Sequence, residues 1–195
     1  MRFAHAAIAL IAACFPSVVI AQDFNRQPAE SAQQFAVRAL QLPKDTSSPG
    51  VLETRWNGQK AIFVDYVSGN DLEYVALIEQ PTGAYRKVAI TTGEEEGGTA
   101  QIAAVGFANA DRDAAQELVV ILTWPVQHYD VEGTLYEVRI FDDVKPGDTQ
   151  ARFLKSVSDR FGANTCDCNR RDGKPERYQF KTIAKIKAEL KRLGF

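Results

Sequence analysis

The sequence predicts an α+β protein in which helices flank a central antiparallel sheet of about seven strands. Residues 51–143 consist of short apolar runs separated by turn residues, the pattern of antiparallel strands joined by hairpins. Residues 22–43 and 151–195 instead place apolar side chains at helical spacing, which predicts an N-terminal helix region and a C-terminal helical, basic region. Together they form one domain over residues 22–195, long enough to bury its own core.

The first 21 residues have the pattern of a cleaved secretory signal. After a short basic start, residues 4–13 are almost continuously apolar, and residues 19–21 are small or β-branched where cleavage is expected. We therefore expect cleavage after Ala21 and a periplasmic or secreted protein. The alternative is a lipoprotein, because residues 11–14 fit the box that ends in a lipid-modified Cys14. Since no later apolar run reaches about 18 residues, stable membrane insertion is not expected.

The first helix and the strands follow from local signals. Pro28 suits a first helical turn and Pro43 ends the helix, while Phe35 and Ala39 fall on its apolar face. The Asn57-Gly58 pair is the strongest short hairpin signal in the chain. The predicted strands are VLETRW, AIFVDYV, LEYVALIE, AYRKVAI, QIAAVGFA, ELVVILTW and TLYEVRIFD.

A weak internal repeat relates two parts of the predicted sheet. Residues 73–78 match residues 117–122 at an offset of 44 residues. Spacings in the forties are typical of four-stranded propeller blades. Because two copies cannot close a propeller, we expect a continuous or folded-over antiparallel sheet covered by the terminal helices.

The C-terminal region is predicted to contain two helices and a loop. Residues 151–162 form a short helix ended by glycine, residues around 166–173 form a loop, and residues 178–193 form an amphipathic helix. From residue 170 to 195 there are nine Lys or Arg and three Asp or Glu, a net +6, although the whole chain has a formal charge of -2. This basic region either docks an anionic partner or balances its own acidic domain.

Residues 109–118, NADRDAAQEL, place oxygen-bearing side chains at alternate positions before an apolar strand. Asn109, Asp111 and Asp113 alternate, and Glu117 follows at the start of the strand. The pattern resembles the calcium loop of FG-GAP and VCBS-type repeats, which occur in integrin-like propeller blades. The likeness covers about twenty residues, or about sixty with the second hairpin. It implies a structural Ca²⁺ site formed by these four residues on a blade-like sheet.

Two positions depart from the family pattern. Asn109 stands where Asp is usual, which removes one negative charge, and Ala114 stands where the family has a glycine that turns the backbone. Two interpretations remain open. The loop either binds Ca²⁺ weakly, in the range of roughly 0.1 to 1 mM, or is a polar strand connection descended from a calcium loop.

Cys166 and Cys168 are the cysteines that remain after signal removal, and an oxidising compartment favours a disulfide between them. We interpret the pair as a local clip. The alternatives are a contact with a second chain and a redox-active or Cu(I)-binding CxC. A zinc site is not expected, because His128 alone is left to complete four nitrogen or sulfur ligands.

The sequence contains no nucleophile elbow, phosphate-binding loop or dinucleotide fingerprint, so no catalytic residue is assigned. We expect a non-catalytic binding protein whose surface includes Trp124, His128 and Tyr129. Its expected partner is a periplasmic or extracellular protein, not a nucleic acid. A periplasmic enzyme inhibitor or immunity protein is one alternative, and a carboxylate-dependent hydrolase or CxC redox protein is another.

Overall fold

The computed structural model describes residues 22–43 and 48–195, so the expected signal segment, its cleavage after Ala21 and the lipoprotein alternative at Cys14 lie outside the described residues. The elements run in this order: β1 (Asp23–Phe24), α1 (Ala32–Ala39), β2 (Gly50–Trp56), β3 (Gln59–Ser68), β4 (Asp71–Glu79), β5 (Tyr85–Gly93), β6 (Gln101–Ala108), β7 (Glu117–Gln127), β8 (Val131–Phe141), α2 (Lys155–Ser158), a 3-10 turn (Asp159–Phe161), β9 (Thr165–Arg170) and α3 (Ile183–Leu193). In these residues no helix combines the length and the apolar character that crossing a bilayer requires.

The α+β class is confirmed, but the strands form two antiparallel sheets and not one. Sheet A has the strand order β1-β5-β4-β3-β2, and sheet B has the order β6-β7-β8-β9. The seven expected strands are β2 to β8, and the two additional ones are the two-residue β1 and the polar β9. Two sheets form because several strands are apolar on both faces, as in β7, where residues 117–124 are all buried.

The two sheets pack face to face and a helix covers the outer face of each. Side chains from both sheets, among them Phe63 and Leu122, share the central cluster. On the outer face of sheet A, Phe35 and Ala36 of α1 pack against its strands. On the outer face of sheet B, α3 contributes Ile186 and Leu190. The molecule therefore has four layers, in the order helix, sheet, sheet, helix.

Turn and cap residues explain where the N-terminal elements begin and end. Asn57 and Gly58 have φ values of 48° and 85°, so the predicted hairpin between β2 and β3 is a tight turn with positive φ at both central residues. The first helix begins later than Pro28, because Ser31 and Gln34 form a capping box. The prediction of helix from the proline onward was wrong.

The C-terminal region differs from its prediction at three places. The short helix begins at Lys155 and not at residue 151, and it ends at Ser158. The 3-10 turn that follows it ends at Gly162, whose φ is 78°. However, residues 165–170 pair with β8 as the edge strand β9, where a loop was expected. The final helix begins at Ile183 and not near Tyr178, because Thr182 caps it by accepting a hydrogen bond from the Lys185 amide.

Residues 142–154, here called the crossing segment, connect the two sheets along one side of the sandwich. The amide of Ala151 donates to the carbonyl of Ala89 in sheet A at 2.8 Å. The amide of Leu154 donates to the carbonyl of Ile140 in sheet B, also at 2.8 Å. The segment begins directly after β8, at the end of the strands where β7 starts, so it lies beside the acidic loop.

Candidate metal centre

The acidic loop, residues 109–116, joins β6 to β7, and Ala108 and Glu117 are paired at its two ends. Two of its side chains accept hydrogen bonds from backbone amides and so hold the loop in a tight turn. Asp111 Oδ1 accepts a hydrogen bond from the Asp113 amide at 2.8 Å, and Asp113 Oδ1 accepts one from the Ala115 amide at 2.7 Å. Asn109 directly follows β6 and is exposed.

Ala114 does not adopt the left-handed backbone that the glycine of the family pattern supplies. Among the described residues, the non-glycine positions with positive φ are Gln41, Asn57 and Asn164. The loop therefore turns without left-handed strain at Ala114, and its path differs from the one that the family resemblance implies.

The end of the acidic loop is held by the β2–β3 turn of the other sheet. Trp56 Nε1 donates to the carbonyl of Gln116 at 2.6 Å, and Asn57 Nδ2 donates to the same oxygen at 3.0 Å. The Gln116 amide in turn donates to Asn57 Oδ1 at 2.8 Å. The turn that Asn57 and Gly58 form thus also holds Gln116, the residue that precedes Glu117.

Glu117 is fully buried although it carries a carboxyl group. Its Oε2 accepts a hydrogen bond from the Ala110 amide, whereas its Oε1 is buried without a partner among the described residues. Burial raises the pKa of Glu117, and the charges of Asp111 and Asp113 raise it further, against the effect of the Ala110 amide. An ionised Glu117 therefore needs a positive partner.

Two further carboxylates, Asp142 and Asp143, follow the end of β8 and were missed from the sequence. Antiparallel pairing of Leu118 with Phe141 brings the residue after β8 opposite Glu117. Acceptor atoms of Asp111, Glu117 and Asp142 lie within 4.8 Å of one another, and so do those of Asp113, Asp142 and Asp143. The sequence signal that could have identified them is the pair of acidic residues directly after an apolar strand.

We call these five residues the acidic cluster: Asp111, Asp113, Glu117, Asp142 and Asp143. In residues 22–43 and 48–195, five buried side-chain polar atoms lack a hydrogen-bond partner, and three of them belong to this cluster. They are Glu117 Oε1, Asp142 Oδ1 and Asp143 Oδ1. Arg152 donates to Asp142 Oδ2, with its Nε at 2.9 Å, so the opposite oxygen of Asp142 is the free one.

The donor set of the acidic cluster fits a hard cation. All its candidate ligand atoms are carboxylate oxygens, which Ca²⁺ and Mg²⁺ prefer, and it offers neither the imidazole nor the thiolate groups that select zinc or copper. Three predicted residues, Asp111, Asp113 and Glu117, therefore come together here, with Asp142 and Asp143 as additional partners.

The three residues expected at the binding surface do not all lie at the surface of the structure. Trp124 is 1% exposed and its Nε1 donates to the Glu94 carbonyl at 2.7 Å, so placing it on the surface was wrong. This large apolar ring instead completes the core between the sheets. His128 and Tyr129 are exposed in the β7–β8 turn. Tyr129 is 86% exposed, and the Arg171 guanidinium lies over its ring at 4.6 Å.

The two cysteines lie on β9, where Cys166 and Cys168 are joined as a disulfide with their Cα atoms 5.3 Å apart. Cys168 is buried and faces Gly133 of β8, where an added Cβ would lie 2.8 Å from its Sγ. Cys166 lines an open groove of about 640 Å³ that also contains His128.

Comparison with known proteins gives no family for this chain, because no family model, no curated protein and no solved structure matches it.

Proposed function

We propose that this protein is an exported, non-catalytic binding module whose sheet scaffold is stabilised by Ca²⁺ at the acidic cluster. The observation that carries the metal is the carboxylate of Glu117, which is 0% exposed and has an unpartnered Oε1 among other acids. Leaving a buried charge unpaired costs several kcal/mol, roughly 3 to 5 when a partner is removed from a pair. A divalent cation between Asp111, Glu117 and Asp142 offsets this cost.

Calcium suits this position better than magnesium. Calcium takes six to eight oxygen ligands in flexible geometry, whereas magnesium requires a near-ideal octahedron. Asp111 lies in the acidic loop, Glu117 begins β7 and Asp142 begins the crossing segment, so the ligands come from separate parts of the chain. Export supports this choice, since extracellular calcium modules work at about 0.1 to 1 mM.

We assign the binding surface to the hairpin tip, residues 128–130 between β7 and β8. Its support is the exposed ring of Tyr129, stacked on Arg171, beside the open groove that His128 lines. Aromatic residues and arginine are the side chains that most often dominate protein interfaces. The expected ligand of this projecting tip is a partner protein. In a narrower form of the proposal, this protein is an inhibitor that inserts the tip into an enzyme.

The calcium part is tested by thermal unfolding with CaCl₂ or with a chelator. At a free calcium concentration of ten times Kd, wild type gains about 1.4 kcal/mol, which raises its Tm by roughly 3 to 6 °C. Glu117→Gln should lose this shift and be at least as stable as wild type in chelator, because it removes an unpaired buried charge. Glu132→Gln, which changes an exposed residue near the opposite end of β8, is the control that should keep the shift. An equal shift in Glu117→Gln would reject the site.

The binding part is tested by capture from a periplasmic extract with tagged full-length protein, with and without chelator. Tyr129→Ala should lose the captured partner, while exposed Glu132→Gln should retain it. Retention of the same partner by Tyr129→Ala would move the interface elsewhere. If wild type, in which Tyr129 is intact, retains the partner in CaCl₂ but loses it in chelator, the metal also orders the interface.

A further inference from the structure

The acidic cluster contains two sets of acceptor atoms that share one residue. Asp142 belongs to a first set with Asp111 and Glu117 and to a second set with Asp113 and Asp143. Two ligands of one calcium ion are separated by at most about 5 Å, because each lies 2.3–2.6 Å from it. Each set meets this limit with mutual distances within 4.8 Å, and the acceptors form two sets of three, not one set of five.

The charges of the acidic cluster also exceed what one divalent cation balances. Its five carboxylates carry a formal -5, and Arg152, bound to Asp142, supplies +1. Lys145 is exposed and acts on Asp143 only at a distance. One Ca²⁺ in the first set leaves the excess negative charge on Asp113 and Asp143.

The second set contains one unpartnered oxygen that the first set lacks, Oδ1 of Asp143, and it shares the unpartnered oxygen of Asp142 with the first set. Asp142 is 8% exposed and its Oδ1 is buried without a partner among the described residues, as is Oδ1 of Asp143. Acceptor atoms of Asp142 and Asp143 lie within 4.8 Å of each other, a separation at which two ionised carboxylates repel each other unless a cation lies between them. These atoms indicate a ligand of their own, separate from the one that Glu117 requires.

We propose that the acidic cluster binds two divalent cations that share Asp142 as a bridging ligand, the second held by Asp113, Asp142 and Asp143. This inference rests on the proposed calcium site at Glu117 for its first ion. Because Asp113 is exposed whereas Glu117 is buried, the second ion keeps more water ligands and binds more weakly. The shared carboxylate makes binding of the two ions interdependent.

Calcium stoichiometry of the full chain tests the proposal, measured by equilibrium dialysis against CaCl₂ and by titration calorimetry. We expect two ions per chain for wild type and for the control Glu132→Gln, which changes an exposed residue of β8. Asp143→Asn and Asp113→Asn should each bind one ion, and so should Asp111→Asn, which leaves the second set intact. The Asn side chains at positions 111 and 113 retain the oxygen that accepts the loop amide, so the turn is preserved.

The possible results separate this inference from the proposed function. One ion in wild type, with an unchanged Kd in Asp143→Asn and Asp113→Asn, would overturn the second ion and leave the first. No ion in wild type would overturn both. No ion in Asp143→Asn, with a wild-type circular dichroism spectrum, would place Asp143 in a single shared site and would also reject the two-ion arrangement.

Discussion

Glu117 and Glu30 carry the same carboxyl group, but their surroundings shift its pKa in opposite directions. Burial raises the pKa of Glu117 and leaves one of its oxygens without a partner. The Arg38 guanidinium, which binds both oxygens of Glu30 at 2.8 Å, lowers the pKa of Glu30 to about 2. The first glutamate is the proposed cation ligand, and the second is part of the structure that holds α1.

The Glu30–Arg38 pair predicts a pH-dependent contribution to stability. Because the folded-state pKa of Glu30 lies below its ordinary value of 4.5, the stabilisation is present above about pH 4.5 and is lost as the pH falls toward 2. Glu30→Gln should therefore destabilise the protein by about 0.5 to 1 kcal/mol at pH 7, and the difference should shrink toward pH 2.5. Urea unfolding at several pH values measures it.

The matched control is Glu132→Gln, which changes an exposed glutamate in β8. It should leave the free energy of unfolding within about 0.5 kcal/mol of wild type. A Glu30→Gln difference that stayed constant from pH 7 to pH 2.5 would show that the ionised Glu30–Arg38 pair is not its source.

At the scale of elements, the approach of α3 to sheet B depends on the absence of one side chain. A Cβ on Gly106 of β6 would lie 2.6 Å from Ile183 Cγ2 and 3.1 Å from its Cγ1. The first residue of α3 thus sits directly on the glycine. The sequence shows this glycine only as a small residue inside a strand, without indicating which element it receives.

Gly106→Ala should destabilise the protein by roughly 1 to 3 kcal/mol, because the helix start must move away from β6. In an Ile183→Ala background the same substitution should cost much less, since the three side-chain atoms nearest to the added methyl group are gone. A double-mutant cycle measured by urea unfolding gives the coupling. Equal costs in both backgrounds would mean that the contact does not limit helix packing.

The positions of β2 to β8 could be predicted because turn residues such as Asn57-Gly58 separate short apolar runs. The division into two sheets could not, because Ile62 and Phe63 are both apolar but face opposite layers. A period of two disappears when both faces of a strand are buried. Strand β9 was missed for the opposite reason, since a polar edge strand resembles a loop in composition.

Only part of the candidate metal centre could be predicted. Asp111, Asp113 and Glu117 are close in sequence, so their convergence follows from a single curled loop. Asp142 lies 25 residues beyond Glu117 and joins them only through the register of β7 with β8. A register that differed by one residue would turn its side chain to the other face of the sheet.

On the scale of the whole molecule, the crossing segment connects the candidate metal centre to both sheets. It begins with Asp142 and Asp143 and then pairs with β5 through Ala151 and with β8 through Leu154. Repulsion among the clustered carboxylates acts at its first residues, so a cation there should stabilise the connection between the sheets.

Hydrogen exchange monitored by mass spectrometry tests this coupling. In chelator, the amides of Ala151 and Leu154 should exchange faster than in saturating CaCl₂, because local opening of the crossing segment becomes easier. Amides within the β3–β4 pair, in the centre of sheet A, should be unchanged and serve as the internal control. Uniform acceleration over both regions would instead indicate loss of global stability.

The helices α1 and α3 cover the two outward faces of the paired sheets, and this placement limits what else can pack on those faces. A further sheet could stack on either outward face only by displacing apolar side chains that already occupy it, such as Phe35 or Ile186. Both outward faces are thus closed to sheet-on-sheet association unless a helix moves aside.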